Sequence, residues 1–272
     1  MDVTSRLEWP AILQDPTGQR QRKPRTSGKT MVIDKGLGLN AFEDLLLTAA
    51  PYIDMLKLGF GTSPLYPMPL LQQKLRMAAI AGVEMMPGGT FLEVAVVQNE
   101  VEDCLRMIRQ LGFNAIEVSD GTIDMERPLR NELITRGREA GLTVYTEYGK
   151  KYWGSRIELD QLIETVIEDV ERGASLVTIE ARESGEGVGI FDEHGACRDD
   201  MLQSMIQLFP DPSRILWETP QKSQQVHLLK KLGPSVNLGN IAPTDVFSLE
   251  SLRRGLRSDT LSWSGTPVSS QP

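Results

Sequence analysis

The sequence predicts an α/β protein, a single-domain (β/α)8 TIM barrel with an irregular N-terminal arm. Three observations support this prediction: eight short apolar runs, helical patterns between them, and glycines where several of those helices end. Polar or glycine residues follow each apolar run, as expected where the carboxyl ends of parallel strands form one functional rim. A doubly wound open sheet is the alternative, because periodicity does not distinguish a closed sheet from an open one.

The predicted strands follow one another at short intervals. They cover residues 31–33, 53–56, 83–86, 115–116, 143–146, 176–179 and 215–217, and the last begins at Val236. Apolar residues recur at helical spacing between them, as at Val101, Leu105, Ile108 and Leu111, and at Leu162, Ile163, Val166, Ile167 and Val170. Glycine is the usual left-handed cap of a helix, and one precedes five of the strands: Gly82, Gly112, Gly141, Gly173 and Gly233.

The segments outside the barrel are polar. Residues 1–27 end in a basic run at 20–25, and we expect them to form a flexible arm or a lid over one barrel end. Residues 28–260 are assigned to the barrel. Residues 261–272, which are rich in serine and proline, are predicted to be a flexible tail.

Composition excludes several classes of protein. The net charge of −8 argues against general binding of nucleic acid or anionic membranes. Cys104 and Cys197 are too few for a disulfide scaffold, and His194 and His227 lack the spacing of zinc ligands. The chain contains neither an apolar run long enough for a membrane helix nor a signal-peptide core, so we predict a cytoplasmic protein.

The fifth strand carries charge at its end. On an extended chain Glu147, Gly149 and Lys151 share one face, whereas Lys150 points to the other. This alternation brings an acid and an amine together. Lys151 is therefore the first candidate for a catalytic lysine.

Charged residues follow the other strands as well. Acids crowded at one rim need cations between them, and hard oxygen ligands favour Mg²⁺. The loops after strands 7 and 8, with Lys222, Ser223 and Asn240, predict a phosphate site near a helix N-terminus. The alternating glycines Gly185, Gly187 and Gly189 predict a mobile loop over the mouth.

Nine segments resemble the phosphosulfolactate synthase family. They extend from about residue 28 to residue 260, and they are 34–36, 57–62, 88–90, 117–121, 147–151, 180–185, 220–225, 237–241 and 249–257. Tyr148, Thr219 and a longer N-terminal arm depart from the family pattern. The resemblance implies a (β/α)8 barrel that adds sulfite to phosphoenolpyruvate with Mg²⁺, giving (2R)-phospho-3-sulfolactate. In the family this product feeds coenzyme M biosynthesis or sulfolactate formation.

The reaction implied by this resemblance suggests roles for the rim residues. Lys151 is expected to be the general acid. The predicted catalytic residues are Lys151, Lys150, Glu147 and Arg182; the substrate-binding residues are Lys35, Lys57, Arg182, Lys222, Ser223 and Asn240; the metal ligands are Asp34, Glu117, Glu180 and Glu218. The expected partners are the small molecules phosphoenolpyruvate and sulfite, without nucleic acid or membrane, and we expect a homo-oligomer.

Two alternatives remain at this stage. One is another lyase or aldolase that acts on a phosphorylated substrate and forms a Schiff base at Lys151. The other is a non-catalytic, stress-related homologue. Retention of the rim lysines, Arg182 and Glu183 disfavours the second alternative.

Overall fold

The eight predicted strands form one parallel sheet in the computed structural model, which describes residues 7–209 and 211–265. The strands are β1 (Thr30–Asp34), β2 (Met55–Leu58), β3 (Glu84–Pro87), β4 (Ala115–Val118), β5 (Thr143–Tyr148), β6 (Leu176–Ile179), β7 (Ile215–Glu218) and β8 (Asn237–Ile241). Their order is β3-β2-β1-β8-β7-β6-β5-β4. The first strand pairs with the last, and the two edge strands β3 and β4 lie next to each other, so the sheet curls into a nearly closed barrel and is not doubly wound.

The helices lie between the strands as the apolar spacing predicts. They are α1 (Ala11–Gln14), α2 (Leu39–Ala49), α3 (Met68–Ile80), α4 (Gly89–Val97), α5 (Val101–Leu111), α6 (Arg127–Glu139), α7 (Leu159–Arg172), α8 (Asp199–Leu208), α9 (Lys222–Leu232) and α10 (Val246–Arg253). All five glycines predicted to end helices have positive φ angles. One helical stripe differs from the prediction: α7 buries Thr165 and Asp169, while Ile167 is exposed.

The seam between β3 and β4 completes the barrel. The carboxamide of Asn114, just before β4, accepts a hydrogen bond from the Met85 N–H of β3 at 2.7 Å. Farther along the seam, Glu117 of β4 accepts one from the Gly89 N–H at 2.8 Å. Side chains therefore supply hydrogen bonds where the two strands meet.

Two apolar layers form the core. A large cluster packs between the sheet and the helices, and a smaller one fills the barrel interior. The interior cluster consists of Met31, Met55, Met86, Ala115, Tyr145, Leu176 and Leu216. Because side chains alternate along a strand, residues two positions later point into the same interior. They include Lys57, Glu117, Glu147 and Glu218, so a charged layer stands directly above the apolar one.

The described part of the arm lies at the amino end of the barrel. The Lys23 ammonium donates to the carbonyls of Ala50, Ile53 and Gly82, which precede β2 and β3. The tail is described as far as residue 265 and includes the single 3-10 turn Leu261–Ser264. Residues 266–272 of the predicted tail, like residues 1–6 of the arm, lie outside the described part. No helix in the described part is both long and apolar enough to span a bilayer.

Candidate active site

A cavity of about 280 Å³ opens at the carboxyl ends of the strands. Its walls combine backbone and side chains from all parts of the barrel. They are formed by Ile33, Lys57, Phe60, Gly88, Gly89, Thr90, Glu117, Thr122, Glu147, Lys151, Glu180, Arg182, Glu183, Glu218 and Asn240. Eight of the predicted site residues are among them: Lys57, Glu117, Glu147, Lys151, Glu180, Arg182, Glu218 and Asn240. Barrels of this kind carry their functional residues at this end.

Lys57 is the cation at the floor of the cavity. Its Nζ lies 2.9 Å from Glu218, 3.2 Å from Glu117 and 3.6 Å from Glu147. Burial lowers the pKa of Lys57, but the neighbouring carboxylates outweigh burial and hold that pKa well above its ordinary value. Lys57 therefore stays charged and offsets part of the repulsion among the acids.

Lys151 stands above this layer, as the alternation along β5 predicts. Its Nζ contacts the Glu147 carboxylate and lies 3.3 Å from that of Glu180. Burial opposes the charge of Lys151, but Glu147 and Glu180 outweigh it and raise the pKa above the ordinary value. Lys150 does not crowd Lys151, because its ammonium points to the other side and donates to the Asp120 and Ile123 carbonyls.

Gly149 explains how the chain turns between Glu147 and Lys151. Its φ of +126° is a conformation that L side chains rarely adopt. A Cβ at this position would lie 2.9 Å from the Cβ of Glu180. Only glycine allows the strand end to pass this close to the acid layer.

Three buried carboxylates, those of Glu147, Glu180 and Glu218, face one another. Each offers an oxygen within 4.8 Å of the other two, which is the arrangement of a potential metal site. Burial, followed by the charges of Glu147 and Glu218, raises the pKa of Glu180 well above its ordinary value. The pKa of Glu147 is instead lowered to about 2, because Lys151 and Lys57 outweigh the effect of burial.

Arg182 and Asn240 supply polar groups to the cavity. Within residues 7–209 and 211–265, no carboxylate pairs with the Arg182 guanidinium, which lines the cavity. The Oδ1 atom of Asn240 is buried and has no hydrogen-bond partner in the same ranges. Arg182, Asn240 and Phe60 all have left-handed backbones, with φ of 61°, 54° and 57°. Such strained residues concentrate at functional sites.

Lys35 lies at the mouth, outside the cavity wall. Its Nζ is 3.3 Å from Glu183, and both side chains are about half exposed. The pair links the β1–α2 loop to the β6–α8 loop.

Four predicted site residues lie elsewhere. Asp34 is buried, and its oxygens are already used by the Gly36 and Leu37 amides and by the Lys74 ammonium. Lys150 faces away from the cavity, for the reason given above. Lys222 pairs with Asp259 at 3.2 Å, and neither Lys222 nor Ser223 is among the residues that line the cavity.

The prediction of site residues omitted several that line the cavity. Phe60, Thr90, Thr122 and Glu183 all belong to the segments that follow β2, β3, β4 and β6. Each of them follows a strand closely, and this position is the sequence feature that indicates a place at the carboxyl rim. Glu93 of α4 supports the loop after β4, since it accepts hydrogen bonds from the Ser119 hydroxyl and the Thr122 amide. Its position in a helix gave no comparable signal.

The fold and the site together define a (β/α)8-barrel enzyme with a charged site at the carboxyl rim. Among solved structures, the YdjI aldolase of Escherichia coli K12 has the same fold, with a TM-score of 0.54 and 13% identity over 88% of this chain and 85% of that one. The chain belongs to the (2R)-phospho-3-sulfolactate synthase (ComA) family, whose sequence profile matches residues 18–259.

Two relatives illustrate the similarity within this family. The phosphosulfolactate synthase of Methanothermobacter thermautotrophicus is 42% identical over 247 residues, which cover 90% of this chain and 95% of the relative. That of Bacillus subtilis is 37% identical over 243 residues, or 89% and 95% of the two chains. The resemblance identified from nine short segments is therefore confirmed over most of the chain.

Proposed function

We propose that this enzyme adds sulfite to phosphoenolpyruvate in a Mg²⁺-dependent reaction that yields (2R)-phospho-3-sulfolactate, with Lys151 as general acid. By this reaction it is a carbon–sulfur lyase, and we expect it to act in the cytoplasm. The observation that carries the proposal is that Lys151 and the carboxylates of Glu147, Glu180 and Glu218 converge on one cavity. The two relatives named phosphosulfolactate synthase support the same reaction.

The proposed chemistry needs one nucleophile and one proton donor. The sulfur lone pair of sulfite attacks the methylene carbon of phosphoenolpyruvate, and a carbon–sulfur bond forms. The electron pair of the carbon–carbon double bond moves toward the substrate carboxylate. The Lys151 ammonium then gives a proton to the carbon that bears the phosphate, and the resulting amine is reprotonated by solvent.

The acid layer has the donors and the charge that suit Mg²⁺. Four carboxyl groups, those of Glu117, Glu147, Glu180 and Glu218, surround two ammonium groups, so acids outnumber cations in this buried space. Within the described ranges the Oε2 atom of Glu180 accepts no hydrogen bond of good geometry, although the Lys151 ammonium lies 3.3 Å from it. We propose Glu147, Glu180 and Glu218 as the ligands. Mg²⁺ bound there supplies electrostatic stabilisation of the charge that develops on the substrate carboxylate.

Arg182 is the best placed residue for the anionic groups of the substrates. Its guanidinium, which pairs with no carboxylate in residues 7–209 and 211–265, fits the paired oxygens of a phosphate, carboxylate or sulfite group. Lys35 at the mouth and the amide of Asn240 are the supporting candidates. The substrate-binding role of Lys57 stays a prediction, as its ammonium is already surrounded by carboxylates.

The protonation state of Lys151 favours addition over imine chemistry. A raised pKa keeps this lysine an ammonium at neutral pH, and an ammonium donates a proton but cannot attack a carbonyl. A Schiff-base lysine usually has a lowered pKa. The aldolase alternative therefore lacks an activated amine in this cavity.

The test is an assay of purified enzyme with sulfite and phosphoenolpyruvate, with product detected by ³¹P NMR. We expect a new phosphate ester that requires sulfite, and turnover that is lost with EDTA and restored by Mg²⁺. Borohydride reduction in the presence of carbonyl substrates tests the alternative, a Schiff base at Lys151. Covalent trapping at Lys151, combined with no sulfite-dependent product, would favour the aldolase and refute the proposal.

A further inference from the structure

A second group of potential metal ligands lies outside the barrel. Cys197, Asp199 and His227 each offer one donor atom within 4.8 Å of the other two. Cys197 is in the loop before α8, Asp199 is the first residue of α8, and His227 is in α9. None of them lines the cavity at the carboxyl rim. Sequence spacing gave no reason to expect this cluster, since 28 residues separate Asp199 from His227.

The contacts of Asp199 orient its carboxylate for binding a cation. Its Oδ1 atom lies 2.6 Å from the Nε2 atom of His227. Its Oδ2 atom lies 2.8 Å from the Lys231 ammonium. Carboxylates that bind metals are commonly oriented in this way by a hydrogen bond to the second oxygen. Lys231 can therefore keep Oδ2 while Oδ1 binds an ion.

We propose that Cys197 Sγ, Asp199 Oδ1 and His227 Nε2 bind a divalent cation of the zinc class, with water as the fourth ligand. Thiolate and imidazole donors select such ions over Mg²⁺. In tetrahedral zinc sites neighbouring donors are about 3.3–3.6 Å apart, given typical zinc–ligand bonds. Because the three donors lie within 4.8 Å of one another, side-chain movements of about 1 Å bring them to that spacing. The thiol loses its proton to solvent when the ion binds.

Such an ion would tie the end of the β6–α8 loop to α9. This loop carries Arg182 and Glu183 at the cavity and ends at Cys197 and Arg198 before α8. Without an ion, hydrogen bonds hold it to α9: Gln224 donates to the Gly185 and Gly195 carbonyls. An ion bound by Cys197 would add coordination bonds to α9 at the other end of the same loop. Its role is thus structural and separate from the proposed reaction.

The test uses Co²⁺ as a spectroscopic substitute for zinc, added to the full-length, reduced enzyme in excess Mg²⁺. Carboxylate sites take Co²⁺ without any thiolate absorption, so the cavity cannot imitate the signal. We expect one equivalent to produce a near-ultraviolet thiolate-to-cobalt band and tetrahedral visible bands. Zn²⁺ is expected to displace both.

Matched variants exist because the chain has only two cysteines and two histidines. Cys197→Ser should abolish the thiolate band, whereas Cys104→Ser should keep it. His227→Gln should weaken Co²⁺ binding at least about tenfold, whereas His194→Gln should leave it unchanged. Since His227 lies on the surface of α9, its replacement tests the site even if Cys197→Ser does not fold.

Two results would overturn the proposal. One is the absence of a thiolate band in the wild-type enzyme at millimolar Co²⁺. The other is a band that survives in the His227→Gln variant with unchanged affinity. A supporting measurement is thermal unfolding, in which Zn²⁺ should raise the Tm of the wild type and of His194→Gln but not that of His227→Gln.

Discussion

At the scale of residues, the site depends on which face of the chain each charge occupies. Lys150 and Lys151 are neighbours in sequence, yet their ammonium groups lie on opposite sides of the strand end. Lys151 contacts Glu147 and Glu180 in the cavity, while Lys150 donates to carbonyls of the loop after β4. The two lysines therefore form an internal comparison with nearly identical local sequence.

This pair yields the first prediction. Lys151→Ala should lower kcat for sulfite-dependent product formation by about 10²–10⁴-fold, the usual contribution of a general acid. Lys150→Ala should lower it far less, because that ammonium lies outside the cavity. Steady-state kinetics on both variants measures the difference. Equal losses in the two variants would contradict the assignment.

Glu180 illustrates a conflict between function and stability. Burial and the charges of Glu147 and Glu218 raise the pKa of Glu180 above its unfolded value. A carboxyl group with a raised pKa takes up a proton on folding. Its stabilising contribution to the folded state is therefore fully present below the unfolded pKa. That contribution is lost as the pH rises through the folded pKa. Rising pH therefore removes a stabilising contribution of Glu180 to the metal-free fold.

The second prediction concerns Glu180→Gln, which removes this titration. The free energy of unfolding should fall less with rising pH in the variant than in the wild type, by up to about 1.4 kcal/mol per pH unit. Urea unfolding in the presence of EDTA, from pH 5 into the alkaline range, measures this pH dependence of the free energy of unfolding. Glu183→Gln, at the exposed mouth, is the control. Turnover with Mg²⁺ should fall in Glu180→Gln, and parallel stability curves would refute the assigned pKa.

At the scale of elements, α6 and α7 are joined to β5 by a buried ion pair. Arg130 of α6 contacts Asp169 of α7 at 2.6 Å and donates to the Glu147 carbonyl at 3.0 Å. It also lies 3.1 Å from Asp120 in the loop after β4. This contact explains why α7 turns Asp169 inward and leaves Ile167 exposed. The strand that carries Glu147 is thus held from outside the barrel.

The third prediction follows from the burial of this pair. Arg130→Met should lower the free energy of unfolding by about 3–5 kcal/mol, because it weakens the compensation of the Asp169 charge. Arg127→Met removes a more exposed contact to the same aspartate and should have a smaller effect. Urea unfolding compares them. The double variant Arg130→Met/Asp169→Leu should recover much of the loss, and failure to do so would argue against an electrostatic cause.

At the scale of the whole molecule, the two ends of the barrel differ in structure. The carboxyl end holds the cavity, whereas the amino end is covered by the arm. Arg20 pairs with Glu250 at 3.0 Å, and Arg25 lies 3.4 Å from Asp54, with all four side chains nearly buried. Burial raises the pKa of Asp54, while Arg25 opposes that change. The arm is therefore part of the folded barrel end.

The fourth prediction is that deletion of residues 1–27 should lower the free energy of unfolding by about 3–5 kcal/mol, because Asp54 loses Arg25 while Glu250 keeps its contact with Arg254. Deletion of residues 1–13 removes most of the exposed helix α1 and should have little effect. Denaturant unfolding of both truncated chains makes the comparison. If the longer deletion is as stable as the wild type, the contacts of Arg20 and Arg25 contribute nothing.

The sequence by itself determined the eight strands, the order of the βα units and the face of β5 that carries Lys151, whereas closure of the sheet was decided by pairing between distant strands. The first three are local properties, since a strand alternates its side chains and a helix repeats its apolar positions within a few residues. Only the tertiary structure decided which charges meet. Asp34 was expected at a metal but is used by Lys74, 40 residues away, and Lys57 meets Glu218 across 161 residues. Such pairs form through space, where neighbouring elements compete for each charge, so no local pattern encodes them.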